Sequence, residues 1–255
     1  MISERMRAAA GRRRRRTRER VCGVIVVVPV HDEEEHLDRC LASVQRALDH
    51  PAVRDLESRV VVALDTCSDG SASIARRRCA PGDVIVEIER RNVGAARAAG
   101  ALAGLKATGL DPRQVWLAHT DADTEVPPSW VADQLSLART ADGVAGIVRV
   151  DDWSSHLSAT RVRFERSYRT PRLRSHTHVH GANIGVRASA YLDAGGFPHQ
   201  AWSEDHALWA ALRRRGHVIV ATRRVWVTTS ARRGARAAGG FGDRLLAIES
   251  AITAT

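Results

Sequence analysis

Cysteine is scarce and poorly placed for chemistry. The 255-residue chain has four, at positions 22, 40, 67 and 79, and none forms a Cys-x-x-Cys pair. That removes the basis for a zinc ribbon or a thioredoxin-like site and leaves reduced, mostly structural thiols as the expectation. Long apolar runs are lacking as well. The run at 21–30 is about half of what a bilayer needs. It ends in Pro-Val-His-Asp-Glu-Glu-Glu rather than in small cleavage-site residues. It reads as a first core strand, and the chain as cytoplasmic with no transmembrane segment. Internal repeats and clean linkers are also missing. The body has little net charge: the total is +10, but residues 1–20 carry +7 through nine arginines against Glu4 and Glu19, leaving +3 for the rest. Such a tail is expected to stay solvated. Peripheral contact with a membrane stays open, whereas no reader motif supports a specific nucleic-acid partner.

Hydrophobic residues make up 44% of the chain, enough for a buried core. Strands are expected at 24–28, 59–65, 84–88 and 115–117, alternating with helices at 34–48, 71–79 and 93–108. Leu37, Leu41, Val44 and Leu48 mark the first helix by their spacing. Strand, crossover helix and strand in repetition imply an α/β domain with a mainly parallel sheet. The second half suggests helices at 129–140, from 189, at 204–215 and at 237–251. Its strands are expected at 143–150, 183–186, 217–220 and 225–227, and residues 151–180 resist assignment. Residues 21–125 read as a nucleotide half and 126–250 as an acceptor half of one domain. In an open sheet of this kind ligands bind beyond the carboxyl ends of the strands, here at 29–35, 65–70, 89–97 and 119–125.

Unusual residues cluster at those junctions. Asp121-Ala122-Asp123 offers two carboxylates that can converge on Mn²⁺ or Mg²⁺, or else an acidic turn that caps a helix. Asp65 ends a strand and can bind a base or ribose, or simply serve the Ser-Asp-Gly turn after it. The acids after Pro29 suit ribose hydroxyls and equally the start of a helix. Arg97 can reach a diphosphate or hold the Asp-Ala-Asp loop, or it is simply an exposed helix arginine. Asp205, beside Glu204, can deprotonate an acceptor hydroxyl, although acids are ordinary in a first helical turn. His176, His178 and His180 would share one face of a strand, where solvated or hydrogen-bonded histidines are commoner than zinc ligands.

The ordered set is more specific than its parts. Val-Val-Val-Pro-Val-His-Asp-Glu-Glu (26–34), Leu-Asp-Thr-Cys-Ser-Asp-Gly-Ser (64–71), Asn-Val-Gly-Ala-Ala-Arg (92–97), Asp-Ala-Asp (121–123), Gly-Ala-Asn-Ile-Gly-Val-Arg (181–187), Gly-Gly-Phe (195–197) and Ser-Glu-Asp-His-Ala-Leu (203–208) resemble the family 2 glycosyltransferases, from about residue 21 to 233. The resemblance implies the GT-A fold and a hexosyl-type transfer from a nucleotide-sugar donor to a small-molecule or lipid-linked hydroxyl acceptor. It implies nucleotide-binding roles for Pro29, His31, Glu33, Asp65, Asp69, Arg97 and Asp121, and a metal on Asp123 with Asp121. Asp205 would be the base of an inverting reaction, with Glu204 beside it. Gly181, Ala182 and Asn183 would lie by the acceptor or the donor sugar.

The chain departs from the family pattern at three places. His31 stands in the stretch where many relatives have Asn or Tyr. Thr66-Cys67-Ser68 separates Asp65 from Asp69, where paired acids are usual. A late metal-binding histidine is replaced by Thr228-Thr229-Ser230-Ala231-Arg232-Arg233, so either water completes the metal shell or Arg232 and Arg233 take over part of the diphosphate charge. A sugar nucleotidyltransferase is disfavoured, because the acids after the first strand would repel a triphosphate. A nucleotide-binding relative without turnover is the main alternative. The sequence sets no oligomeric state.

Overall fold

The computed structural model describes residues 18–150, 152–167, 178–233 and 240–253. The first half alternates as the hydrophobic pattern requires: β1 (Gly23–Val30), α1 (Leu37–Leu48), β2 (Glu57–Asp65), α2 (Ser71–Arg78), β3 (Val84–Ile88), α3 (Val93–Ala107) and β4 (Val115–His119). All eight residues of β1 are buried, which suits the central strand of a sheet covered on both faces. The second half adds β5 (Thr124–Glu125), α4 (Trp130–Ala138), β6 (Gly143–Val150), α5 (Ser158–Ser167), β7 (Ile184–Arg187), α6 (Ala188–Asp193), α7 (Glu204–Arg214), β8 (Ile219–Thr229) and α8 (Phe241–Thr253).

One eight-stranded sheet results, in the order β3-β2-β1-β4-β7-β6-β8-β5. The first four strands are parallel, β7 runs antiparallel between β4 and β6, and β8 is parallel to β6. Six of the eight strands thus run the same way, and the sheet is mainly parallel, as expected, with β7 and β5 reversed. Two expectations change. The strands expected at 217–220 and 225–227 are one strand, β8, whose pairing with β6 jumps from Ala221 to Trp226 around a bulge opposite Gly146. The first helix begins at Leu37 rather than 34, because Asp32 and Glu34 are engaged in loop contacts. Asp32 accepts from the Ser68 N–H at 2.7 Å, Glu34 accepts from the Gly70 N–H at 2.7 Å, and the Glu34 N–H donates to Asp69 at 2.9 Å.

Core packing covers both faces of the sheet. Val24, Val26 and Val28 of β1 meet Leu37, Leu41, Val44 and Leu48 of α1 on one side. Each such side chain contributes about 1.5–3 kcal/mol on burial. On the other side Ile25 and Val27 face α3, whose Gly100 and Gly104 permit the close approach. A Cβ at Gly104 would lie 2.5 Å from Ile25, and one at Gly100 2.6 Å from Val27. Two buried indoles find partners: Trp116 donates to Gln134 at 2.8 Å and Trp130 to Asn183 at 2.9 Å. Among the described residues no helix is long and apolar enough to cross a membrane.

Candidate active site

The strand ends and the loops of the second half enclose a cleft of about 580 Å³. Pro29, His31, Glu33, Asp65, Arg97, Asp121, Asp123, Gly181, Ala182, Glu204, Asp205 and Arg232 all line it. Three expected residues lie elsewhere. Asn183 is fully buried, accepting from Trp130 and donating to the Ile147 carbonyl at 2.9 Å, so it braces the core. Arg233 turns to the Ser155 carbonyl and to Glu249 on α8. Asp69 sits in the loop lock, accepting from the Ser71 N–H at 2.9 Å. His176 is outside the described residues.

At one end of the cleft Asp65 is 3% exposed and accepts from the N–H groups of Arg90, Arg91 and Asn92 at 2.7, 2.8 and 2.7 Å. Burial pushes its pKa up, but these three donors outweigh it, and the carboxyl titrates below its usual range. Asp65 thus fixes the loop that leads into α3, where Asn92 caps the helix by accepting from the Ala95 N–H. His31 Nδ1 donates to the Asp65 carbonyl at 2.7 Å, and because a carbonyl only accepts, Nδ1 carries the proton. Among the described residues, the non-glycine positions with left-handed φ are Asp32, Thr66, Arg91 and Ser203. Arg91 and Ser203 line the cleft, and Asp32 and Thr66 each adjoin a residue that does. Such strain concentrates where loops are held for function.

The floor of the cleft is an ion network. Arg97, 1% exposed, contacts Asp121 and donates to Glu204 at 3.1 Å and to the Thr120 carbonyl at 3.5 Å. Of the readings of Arg97, an exposed helix arginine is excluded by this burial, and holding the Asp-Ala-Asp loop matches these contacts. Gly181 leaves room for it, since a Cβ there would lie 2.5 Å from the guanidinium. Cys40 on α1 donates to the Asp121 carbonyl at 3.3 Å. Arg232 holds Glu33 in a two-pronged contact and lies 3.2 Å from Asp123. Burial raises the Asp123 pKa, Asp121 adds to the rise, and the group reaches about 7 despite Arg232. Burial likewise raises Glu204, with Arg97 opposing.

Four carboxyl groups (Glu33, Asp121, Asp123 and Glu204) thus face two guanidiniums, an excess of acids over bases on a largely buried floor. Hard oxygen donors with that excess suit a divalent cation, and Asp121 and Asp123 are the pair that could hold it. No described group of three or more His, Cys, Asp or Glu side chains forms a metal cage, so the other ligands would come from a substrate and from water.

Across the cleft Ser203, in left-handed conformation, turns the chain into α7. Asp205 in its first turn accepts from the Gly181 N–H at 2.8 Å and the His206 N–H at 2.6 Å. It has no ion pair among the described residues. Sequence reasoning missed Arg91, Trp202, Phe241 and Arg244, which also line the cleft. Trp202 was visible as an aromatic beside Glu204-Asp205, whereas nothing local marked the other three.

Comparisons agree with this architecture. The glycosyl transferase family 2 model matches residues 25–193. No curated protein sequence matches the chain. Among solved structures, a mannosyltransferase from Pyrobaculum calidifontis in complex with GDP-Man and Mn²⁺ aligns with a TM-score of 0.59 at 21% identity, over 84% of this chain and 58% of that one. TarS 1–349 of S. aureus in complex with UDP-GlcNAc aligns with 0.61 at 14% identity, over 90% and 66%. GalNAc-T7 with UDP, GalNAc and Mn²⁺ gives 0.57 at 14%, over 90% and 48%. The chain therefore spans between about half and two-thirds of the length of these three structures. The fold is the GT-A fold, and the chain belongs to glycosyl transferase family 2.

Proposed function

We propose that the chain transfers a sugar from a nucleoside-diphosphate donor to a hydroxyl acceptor with inversion at the anomeric carbon. One observation carries this reading: the paired carboxylates Asp121 and Asp123 and the separate carboxylate Asp205 line a single cleft at the sheet's carboxyl edge. Pro29, His31 and the loop ordered by Asp65 form the side suited to a nucleobase and ribose, with Asp121 close to the ribose. Asp123, with Asp121, would hold Mn²⁺ or Mg²⁺, which when bound neutralises the departing diphosphate as a Lewis acid. Arg232 lies beside them and can share the diphosphate's charge.

On the acceptor side, each oxygen of Asp205 takes one backbone N–H, which fixes the carboxylate plane and leaves lone pairs for a hydroxyl. Asp205 takes the hydroxyl proton as that oxygen attacks the anomeric carbon. The sugar–phosphate bond breaks with its electron pair on the diphosphate. Glu204, committed to Arg97, acts as a positioning residue that keeps Asp205 and the Asp-Ala-Asp loop in register. Solved neighbours bound to GDP-Man or UDP-GlcNAc make guanosine and uridine donors the first to test. Asp205→Asn is expected to lower transfer at least about 10²-fold, the usual weight of a general base, while donor affinity stays within twofold. Full activity in that variant would remove Asp205 as the base.

A further inference from the structure

Arg244 is a cleft-lining cation that the reaction above leaves unused. It stands in the first turn of α8 (Phe241–Thr253), and Gly240, Phe241 and Gly242 line the same wall. Arg97 and Arg232 are each held by two carboxylates. Arg244 has no carboxylate partner among the described residues. Its Nη2 donates instead to His178 Nδ1 at 3.0 Å. His178 Nε2 lies 3.0 Å from the Ser167 carbonyl, which can only accept, so Nε2 carries the ring proton and Nδ1 is left as an acceptor. Burial lowers the His178 pKa, in keeping with a neutral ring. His180 stacks on His178 at 6.0 Å and meets the Phe241 ring edge-on at 6.2 Å. A neutral imidazole backed in this way orients a guanidinium without cancelling its charge.

Among the described residues the cleft thus presents a carboxylate with no ion pair, Asp205, and a guanidinium with no carboxylate partner, Arg244; Asp205 holds the Gly181 N–H, and the neighbouring His180 packs on Phe241 of α8. The planar, always-charged guanidinium matches a phosphate or carboxylate through paired hydrogen bonds. The geometry points to an acceptor that carries an oxyanion, phosphate or carboxylate, on the same molecule as the hydroxyl that receives the sugar. Asp205 takes the hydroxyl and Arg244 the anion, so the two contacts select the molecule and orient it. The hydroxyl contact rests on the transferase reading, whereas the anion site stands on Arg244 and His178.

The test uses the full chain saturated with whichever nucleoside diphosphate binds it, so that the donor's phosphate positions are filled. Glycerol 3-phosphate, glucuronate and the uncharged methyl glucoside are titrated by calorimetry. Vesicles of phosphatidylcholine with and without phosphatidate cover a lipid-borne phosphate. At least one anionic probe is expected to bind, and Arg244→Gln to weaken it about tenfold or more with nucleotide affinity unchanged. Arg244→Lys should recover part of the loss. R244Q-sensitive binding of phosphatidate vesicles alone assigns the anion to a lipid, and of the soluble probes alone to a free acceptor. The proposal is overturned if no anionic probe binds, if binding survives R244Q, or if R244Q weakens the nucleotide instead. Should no nucleotide bind, the titrations are run on the free chain: the transferase reading then fails, and the anion site is judged by R244Q alone.

Discussion

Arg232 places its guanidinium 3.2 Å from Asp123 while both of its terminal nitrogens hold Glu33. The second aspartate of the Asp-Ala-Asp loop therefore already has a cation beside it before any ligand arrives. A divalent ion on Asp123 must displace this contact or share the carboxylate with it. We expect Arg232→Gln to tighten Mn²⁺ binding to the nucleotide-free chain about tenfold, roughly one charge-assisted contact. The same change should weaken nucleoside diphosphate binding. Electron paramagnetic resonance of free Mn²⁺ checks the first effect and calorimetry the second. An unaltered Mn²⁺ affinity would mean that Arg232 and the metal do not compete.

Arg97 is fully buried and joins Asp121 to Glu204, so its removal leaves Glu204 buried without a cation and strips the half-exposed Asp121 of its partner. Arg97→Gln is expected to cost about 3–5 kcal/mol of folding stability. Denaturant unfolding measures it. A cost below about 1 kcal/mol would show that the network is weakly coupled to the fold.

Asp142 ties the start of the described chain to the sheet: Arg18 donates to it at 2.7 Å, and the Val218 N–H at 2.9 Å. Burial raises its pKa, but these donors prevail and the folded value lies below the ordinary 3.8. A depressed carboxylate stabilises the fold above its unfolded pKa, and that contribution disappears as pH falls through the folded value. Wild type should therefore lose stability as pH drops below about 4, with Asp142→Asn losing less over that window. Identical acid slopes in the two proteins would contradict the assignment.

His119 is fully buried in β4 with no hydrogen-bond partner for either ring nitrogen among the described residues, packed edge-on to Phe197 at 4.8 Å. An unsatisfied buried polar group costs about 1–3 kcal/mol, so His119→Leu should be neutral or stabilising in thermal unfolding. A large loss of stability would point to a partner that the described residues do not include.

The parallel half was legible because strands buried on both faces need unbroken apolar runs, such as Val24–Ile25–Val26–Val27–Val28 and Val60–Val61–Val62–Ala63–Leu64. Asp121, Asp123 and Asp205 were legible because motif order carries more information than any one motif. Arg232 and Arg233 were not separable, since neighbours leaving a strand point to opposite sides, and only one turns to the cleft. Asn183 looked like a sugar ligand next to Gly181-Ala182, yet the buried indole of Trp130, 53 positions away, claims it. Arg244 was invisible for the same reason: its meaning depends on His178, 66 residues distant.

Thermal unfolding with UDP, GDP, dTDP, ADP and CMP, each with and without Mn²⁺, tests the central claim most directly. A nucleoside diphosphate at about a hundred times its dissociation constant should stabilise the fold by roughly 2.7 kcal/mol. The account predicts that shift for at least one diphosphate, larger with Mn²⁺ and reduced in Asp123→Asn. No shift with any nucleotide, with or without the metal, would contradict it.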